Sequence, residues 1–173
     1  MADREVTVQL ATLAERPLLE GLLQFYFYDF SELEPEGSAD MAFDADGRFG
    51  PYVYLPDYWA DAGRVPLVIR VGGEAAGFAL INRHSHFGGA PDWNMAEFFV
   101  ARKHRRRGVA RAAVRQILAA YPGRWEVAVV ERNAAAKLFW PRAIAEAPNV
   151  SELTRHEGDG EAWRGPIWTF VAG

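Results

Sequence analysis

Cysteine is absent from the 173 residues of the chain. Its absence excludes a disulfide framework, catalysis by a thiolate and zinc sites built from cysteine. Long apolar runs are also missing: no stretch approaches the roughly 18 residues that cross a bilayer, and the first residues show no signal-peptide pattern. We therefore expect a cytoplasmic protein that has no membrane partner.

An excess of positive charge is missing as well. The chain has 19 Lys and Arg residues against 23 Asp and Glu residues, a formal net charge of -4, which disfavours a protein that coats nucleic acid. Metal ligands are sparse. His84 and His86 stand two residues apart without a neighbouring carboxylate, so we expect no metal site.

The composition is that of a folded globular protein. Hydrophobic residues make up 50% of the chain and charged residues 24%, and the length suits one domain with a substantial core. No repeat or low-complexity tract interrupts it. We predict a single domain over residues 1–173.

Hydrophobic periodicity predicts alternating strands and helices. The predicted strands are residues 6–10, 66–71, 75–81, 93–100, 125–130 and 163–171, and the predicted helices are residues 17–30, 109–120 and 134–145, with a short helix beginning near residue 56. A Gly-Gly pair at residues 72–73 indicates a tight hairpin between two antiparallel strands. The run of strand, helix and strand from residue 93 to residue 130 predicts a parallel crossover. The fold class is therefore α/β (α+β), with a mixed sheet.

A basic turn lies between the strand at residues 93–100 and the helix that follows. Its sequence is Arg105-Arg106-Arg107-Gly108-Val109-Ala110. A glycine turn that enters a helix leaves main-chain N–H groups unpaired, and these groups, with the positive end of the helix dipole, hold phosphate well. Guanidinium groups add forks that suit phosphate oxygens. The turn predicts a phosphate-bearing ligand, and a merely solvated basic turn is the alternative.

Three segments in this order resemble one known superfamily. They are Phe98-Phe99-Val100, then Arg105-x-x-Gly108-x-Ala110, then Asn133-x-x-Ala136-x-x-Phe139. The pattern is similar to the acyl-CoA signature of the GCN5-related N-acetyltransferase (GNAT) superfamily. The resemblance implies a mostly antiparallel sheet of about six to seven strands, flanked by about four helices. It also implies a cleft where strand 4 splays from strand 5.

The resemblance implies acetyl-CoA as the co-substrate. The implied cofactor-binding residues are Phe99, Val100, Arg105, Arg106, Arg107, Gly108, Val109, Ala110, Asn133 and Phe139. Asn133 as a helix cap and Phe139 as a core residue remain the alternatives. Where many members of the superfamily place a tyrosine that protonates the departing thiolate, this chain has Trp140, whose indole is a far weaker acid.

Glu97 is the candidate catalytic base, because a carboxylate in an apolar strand has a raised pKa. A solvent-facing or arginine-paired Glu97 is the alternative, and His84 and His86 are further candidates. Tyr26, Tyr28 and Asp29, at the end of the first helix, are the candidate substrate-binding residues, since aromatic and acidic side chains attract a cation.

The predicted activity is transfer of an acetyl group from acetyl-CoA to a primary amine of a small molecule or peptide, by direct attack. A catalytically silent domain that binds acyl-CoA is the alternative. Homodimer formation is left open.

Overall fold

The computed structural model describes residues 5–35, 38 and 41–173, and over these residues the chain forms one seven-stranded sheet in the order β1-β2-β3-β4-β5-β7-β6. The strands are β1 (Val6–Leu10), β2 (Val65–Val71), β3 (Glu74–Asn82), β4 (Trp93–Val100), β5 (Gly123–Ala128), β6 (Val150–Glu157) and β7 (Pro166–Ala172). The β4–β5 pair is parallel, and the other described pairs are antiparallel. The mixed, mostly antiparallel sheet is as predicted.

The described residues contain three α helices: α1 (Arg16–Ser31), α2 (Val109–Ala120) and α3 (Ala134–Ala145). Short 3-10 helices occupy Leu13–Glu15, Leu55–Trp59 and Arg102–His104. The predicted short helix near residue 56 is the second of these. None of the helices described has the length and apolarity that a membrane crossing requires.

The sheet lies between two helical layers. Leu19 and Leu23 of α1 pack with Phe78 of β3 on one face. Ile117 and Leu118 of α2 pack with α3 and several strands on the other face. These two α2 side chains are 1% exposed, and burial of such a side chain contributes about 1.5–3 kcal/mol. Apolar spacing along the helices therefore fixes which face each helix covers.

The β2–β3 hairpin turns at the predicted glycine pair. Gly72 has φ 58° and Gly73 has φ 84°, the left-handed conformations that a tight primed turn needs and that glycine adopts without strain. The β4–α2–β5 segment forms the predicted parallel crossover.

The sequence did not predict β6, and it misplaced the bounds of β5 and β7. The β6 strand is mostly exposed at the edge of the sheet, and its polar residues show no alternation between a buried and a solvent face. The β5 strand begins at Gly123 instead of Trp125, and β7 begins at Pro166 instead of Trp163. Edge position and turn residues account for these differences.

Candidate active site

The sheet opens between its two parallel strands. Trp93 pairs with Trp125 and Asn94 pairs with Glu126, and the described β4–β5 pairing ends there. A β-bulge in β4 lies immediately beyond, because Met95 pairs with Ile81 and Glu97 with Leu80, which leaves Ala96 without a partner. The strands therefore splay after residue 94, and the predicted cleft is confirmed.

The β4 residues beyond the bulge present main-chain groups to this cleft. The Ala101 N–H donates to the Ala76 carbonyl at 2.8 Å. Since orientation alternates along an antiparallel pair, the main-chain groups of Phe99 also face β3, and those of Phe98 and Val100 face the open side. The Val100 carbonyl accepts a hydrogen bond from Arg105 Nε at 2.6 Å. Of the two predicted β4 residues, Phe99 thus turns its main-chain groups to β3, whereas Val100 turns them to the open side, as Phe98 does.

Helix α2 begins beside the cleft at a glycine. Gly108 is the N-cap residue with φ 78°, and no side chain of the described chain caps the helix. Arg105, Arg106 and Arg107 are exposed here, whereas Val109 is 4% exposed and belongs to the core. The first N–H groups of α2, with the helix dipole, form a place that suits an anion. The residues present fit the predicted phosphate-bearing ligand.

Arg105 is engaged within the protein. Its guanidinium donates to a carboxylate oxygen of Asp29, and Arg102 donates to the other oxygen at 2.7 Å. Burial opposes ionisation of Asp29, but these hydrogen bonds outweigh it and lower the pKa of the carboxyl. Arg105 thus ties the basic turn to α1 and to the Val100 carbonyl.

A cavity of about 950 Å³ lies along the cleft between α1, β4, β5 and α3. Tyr26 and Glu97 line it. Asp29 and Tyr28 lie outside its described lining, and Tyr28 is 58% exposed. The structure therefore brings one of the three candidate substrate-binding residues to the candidate base.

Glu97 is the acidic centre of this cavity. The Tyr26 hydroxyl donates a hydrogen bond to its carboxylate. Although Glu97 faces the cavity, protein surrounds it on most sides. This burial raises the pKa of Glu97 to about 7, against the lowering effect of the Tyr26 and Tyr52 hydroxyls. A carboxyl that titrates near neutral pH suits a general base.

Two buried asparagines add amide groups to the same cavity. Asn94 Nδ2 donates to Asn82 Oδ1 at 3.0 Å, and the His84 N–H donates to that same oxygen. Asn94 Oδ1 is buried and has no hydrogen-bond partner among the described residues. A buried acceptor is costly unless it is paired, so Asn94 offers a contact for a ligand donor. Sequence patterns did not single out either residue.

Helix α3 forms the opposite wall. Asn133 lines the cavity and also caps the helix, because its side chain accepts from the Ala136 N–H at 3.0 Å. Phe139 stacks on Phe98 with ring centroids 6.1 Å apart and is half-buried in the core. Trp140 lines the cavity at 6% exposure. Both interpretations of Asn133 are compatible with this position.

His84 and His86 also line the cavity. Their loop is held on β5 by Glu126, which accepts from the Ser85 hydroxyl and from the His86 N–H, both at 2.6 Å. Burial lowers the pKa of His86, the His84 charge lowers it further, and Glu126 opposes both effects. Among the described residues no three His, Asp or Glu side chains cluster as metal ligands do.

Arg64 also lines the cavity. Sequence patterns predicted Glu97 but did not indicate this arginine. It lies directly before β2, about thirty residues before the candidate base, and no motif surrounds it. Its packing against Tyr54 and Tyr58 brings it to the cavity.

The chain belongs to the Acetyltransferase (GNAT) family, whose model matches residues 24–143. This match covers most of the elements that build the cavity. No curated protein sequence matches the chain.

Several solved structures are similar in fold. An acetyltransferase from Thermus thermophilus superposes with a TM-score of 0.67 and 17% identity, covering 100% of each chain. Spermidine N-acetyltransferase from Vibrio cholerae, solved with CoA and spermine, has a TM-score of 0.56 and 11% identity over 96% of this chain and 95% of its own. Diaminobutyrate acetyltransferase EctA from Paenibacillus lautus was solved with L-2,4-diaminobutyric acid and coenzyme A. It has a TM-score of 0.60 and 18% identity over 98% of this chain and 96% of its own.

Proposed function

We propose that this protein transfers an acetyl group from acetyl-CoA to a primary amine of a small molecule or peptide, with Glu97 as the base. One observation carries the proposal. A carboxyl with a pKa of about 7 faces a cavity at the point where β4 and β5 separate. Membership of the GNAT family supports acetyl-CoA as the donor.

The co-substrate fits two features of the cleft. The first N–H groups of α2, which follow Gly108, would hold the pyrophosphate. The outward main-chain groups of Phe98 would pair with the pantetheine arm as an added strand pairs with an open sheet edge. Asn133 lines the same cavity from α3.

Glu97 supplies the proton acceptor for the amine. An ammonium group cannot attack a carbonyl, so the carboxylate takes one proton from the acceptor before or during attack. The new C–N bond then forms at the acetyl carbon while the C–S bond breaks, and the nitrogen releases its second proton to solvent as the CoA thiolate leaves. Tyr26 holds the Glu97 carboxylate in place through its hydroxyl.

Trp140 has a packing role in this mechanism. Its ring packs against Phe98 at 5.2 Å and against Phe139 at 5.2 Å. An indole N–H does not protonate a thiolate at neutral pH, so the proton comes from solvent or another cavity group. Trp140 shapes the wall beside the reacting atoms.

The proposed acceptor agrees with what the structural neighbours bind. One neighbour was solved with spermine and another with L-2,4-diaminobutyric acid, and both ligands carry primary amines. A cavity with a carboxylate and tyrosine rings provides charge and aromatic contacts for such groups.

The test is an acetyl-transfer assay with acetyl-CoA and a panel of primary amines, following free CoA and the acetylated product by mass spectrometry. The rate should rise with pH through about 7 as Glu97 loses its proton. Glu97→Gln should lower kcat/KM about 100-fold and abolish that pH limb. Acetyl-CoA binding without product from any amine would instead establish the silent acyl-CoA-binding domain.

The cofactor site has its own test with a matched control. Gly108→Val should weaken CoA at least tenfold in calorimetry, because a branched side chain would block the approach of the pyrophosphate to the α2 N–H groups. Gly88→Val carries a similar backbone strain, at φ 82° against 78° for Gly108, in the loop before β4, at the opposite end of that strand from the basic turn. It should retain CoA affinity. Equal effects of the two substitutions would remove the site assignment.

A further inference from the structure

Arg64 places a fixed positive charge in the cavity that holds Glu97. Its guanidinium carbon lies 5.7 Å from the ring centroid of Tyr54 and 5.5 Å from that of Tyr58. Cation–π contacts of this kind restrain a long side chain. The side chain is 25% exposed, so this cation is held by the protein and faces the cavity.

The guanidinium keeps its terminal nitrogens available. Its ion pair with Asp61 joins Arg64 Nε to Asp61 Oδ2 at 3.6 Å. The other Asp61 oxygen accepts from the Gly63 N–H at 2.7 Å. Over residues 5–35, 38 and 41–173 no hydrogen bond reaches the two terminal nitrogens of Arg64. Such a fork matches the two oxygens of a carboxylate.

Arg64 and Glu97 bear opposite charges, yet within the described chain no ion pair joins them. Tyr58 lies within electrostatic range of both. Burial raises the pKa of its hydroxyl to about 12, with the Glu97 charge raising it and the Arg64 charge lowering it. The cavity therefore presents an anion and a cation at separate positions.

We propose that the acceptor is an amino acid or a similar zwitterion, whose carboxylate binds Arg64 while its amine reaches Glu97. This inference rests on the proposed function. It adds Arg64 as the residue that selects the substrate class.

The same charge acts against other amines. A polyamine has positive charge along its whole length and would place one ammonium group beside the Arg64 guanidinium, in a half-buried site where like charges repel strongly. A zwitterion meets opposite charge at both ends. The pair of residues therefore distinguishes the two classes of amine by sign alone.

The experiment compares acceptors that differ in the carboxylate alone. Lysine is paired with cadaverine and phenylalanine with phenethylamine, and the methyl ester of each amino acid keeps the shape while removing the charge. Acetyl-CoA is the donor, and kcat/KM is measured from the acetylated product. Calorimetry of the same acceptors with the CoA-bound protein gives their Kd independently of turnover.

Arg64→Gln removes the charge, and Arg64→Lys keeps the charge without the fork. Arg83→Gln is the matched control. Arg83 is a nearby cation that lies over Trp93 at 5.5 Å and is outside the described cavity lining. Thermal unfolding and CoA affinity verify that each variant is folded.

For at least one pair, we expect the wild-type protein to prefer the amino acid over its ester and its decarboxylated partner at least tenfold. Arg64→Gln should raise KM for that amino acid 10- to 100-fold and leave the decarboxylated amine within about threefold, whereas Arg83→Gln should change neither. The proposal would be overturned if Arg64→Gln lowered kcat/KM equally for the amino acid and its decarboxylated amine, or if the wild-type protein preferred the decarboxylated amines. Failure of every acceptor to bind would overturn it as well. Acetylation of the decarboxylated amines alone would refute this inference while sustaining the proposed function.

Discussion

Replacement of the cavity carboxylate should make the protein more stable, and increasingly so as the pH rises. The proposed base faces other side chains more than it faces solvent, and burial raises the pKa of Glu97 to about 7 from 4.5 in an unfolded chain. Between these two values the folded chain retains a proton that the unfolded chain has released. The contribution of Glu97 to the free energy of unfolding is therefore largest at low pH and falls as the pH rises towards 7.

The size of the effect follows from the two pKa values. At about 1.4 kcal/mol per pH unit, the interval from 4.5 to about 7 corresponds to roughly 3 kcal/mol. This is an upper value, because solvent in the cavity screens the charge. Glu97→Gln removes the titrating group and retains an oxygen that accepts from the Tyr26 hydroxyl. The free energy of unfolding of the variant, relative to that of wild type, should rise by up to about 3 kcal/mol between pH 4.5 and pH 8.

Urea denaturation at a series of pH values, at constant ionic strength, measures this difference. Glu97→Leu is the control for packing. Its free energy of unfolding should differ from that of Glu97→Gln at every pH. The change of that free energy with pH, relative to wild type, should be the same for the two variants, because both lack the carboxyl. In thermal scans the gain corresponds to roughly 10 °C for a chain of this size. A difference between Glu97→Gln and wild type that stays constant from pH 4.5 to pH 8 would refute a carboxyl pKa near 7.

Three other substitutions test the surroundings of the site. Arg105→Ala should lower stability by about 1 kcal/mol in urea denaturation, because it removes the contact with Asp29; no change would show that the contact contributes nothing. Tyr26→Phe removes a hydrogen bond that lowers the pKa of Glu97, so the acid limb of the rate profile should move up by about one pH unit. A downward shift would contradict that role. Gly77→Ala should cost about 3 kcal/mol or more in urea denaturation, because a Cβ would lie 2.0 Å from a β4 carbonyl oxygen. A stability equal to wild type would show that the strands separate easily.

Sequence patterns predicted the features that depend on local chemistry. A glycine pair can close a two-residue hairpin, and a glycine at the start of a helix can leave its N–H groups open, so Gly72 and Gly108 were informative by themselves. The spacing of apolar residues, together with residues that begin or end helices, located the three described α helices to within about a residue. The resemblance supplied the cleft, which no periodicity reveals.

Features that depend on distant packing were beyond the sequence. Arg64 enters the cavity because two tyrosine rings hold it there, and nothing adjacent to it in the chain indicates this. Asp29 was grouped with Tyr26 because both are near the end of α1. They are three residues apart, yet Tyr26 faces β4 and Asp29 faces the arginines of the basic turn. Proximity in sequence did not place them at one site.

The bulge at Ala96 explains why Glu97 reaches the cavity at all. Met95 packs in the core beneath α2 and α3, whereas Phe99 packs beneath α1. Residues 95 and 99 would lie on one face of a regular strand, since side chains alternate with a period of two. The extra residue reverses the alternation, so Glu97 shares the face of Phe99 and meets Tyr26. The same residue begins the separation of β4 from β5, and one irregularity therefore creates the cleft and aims the base into it.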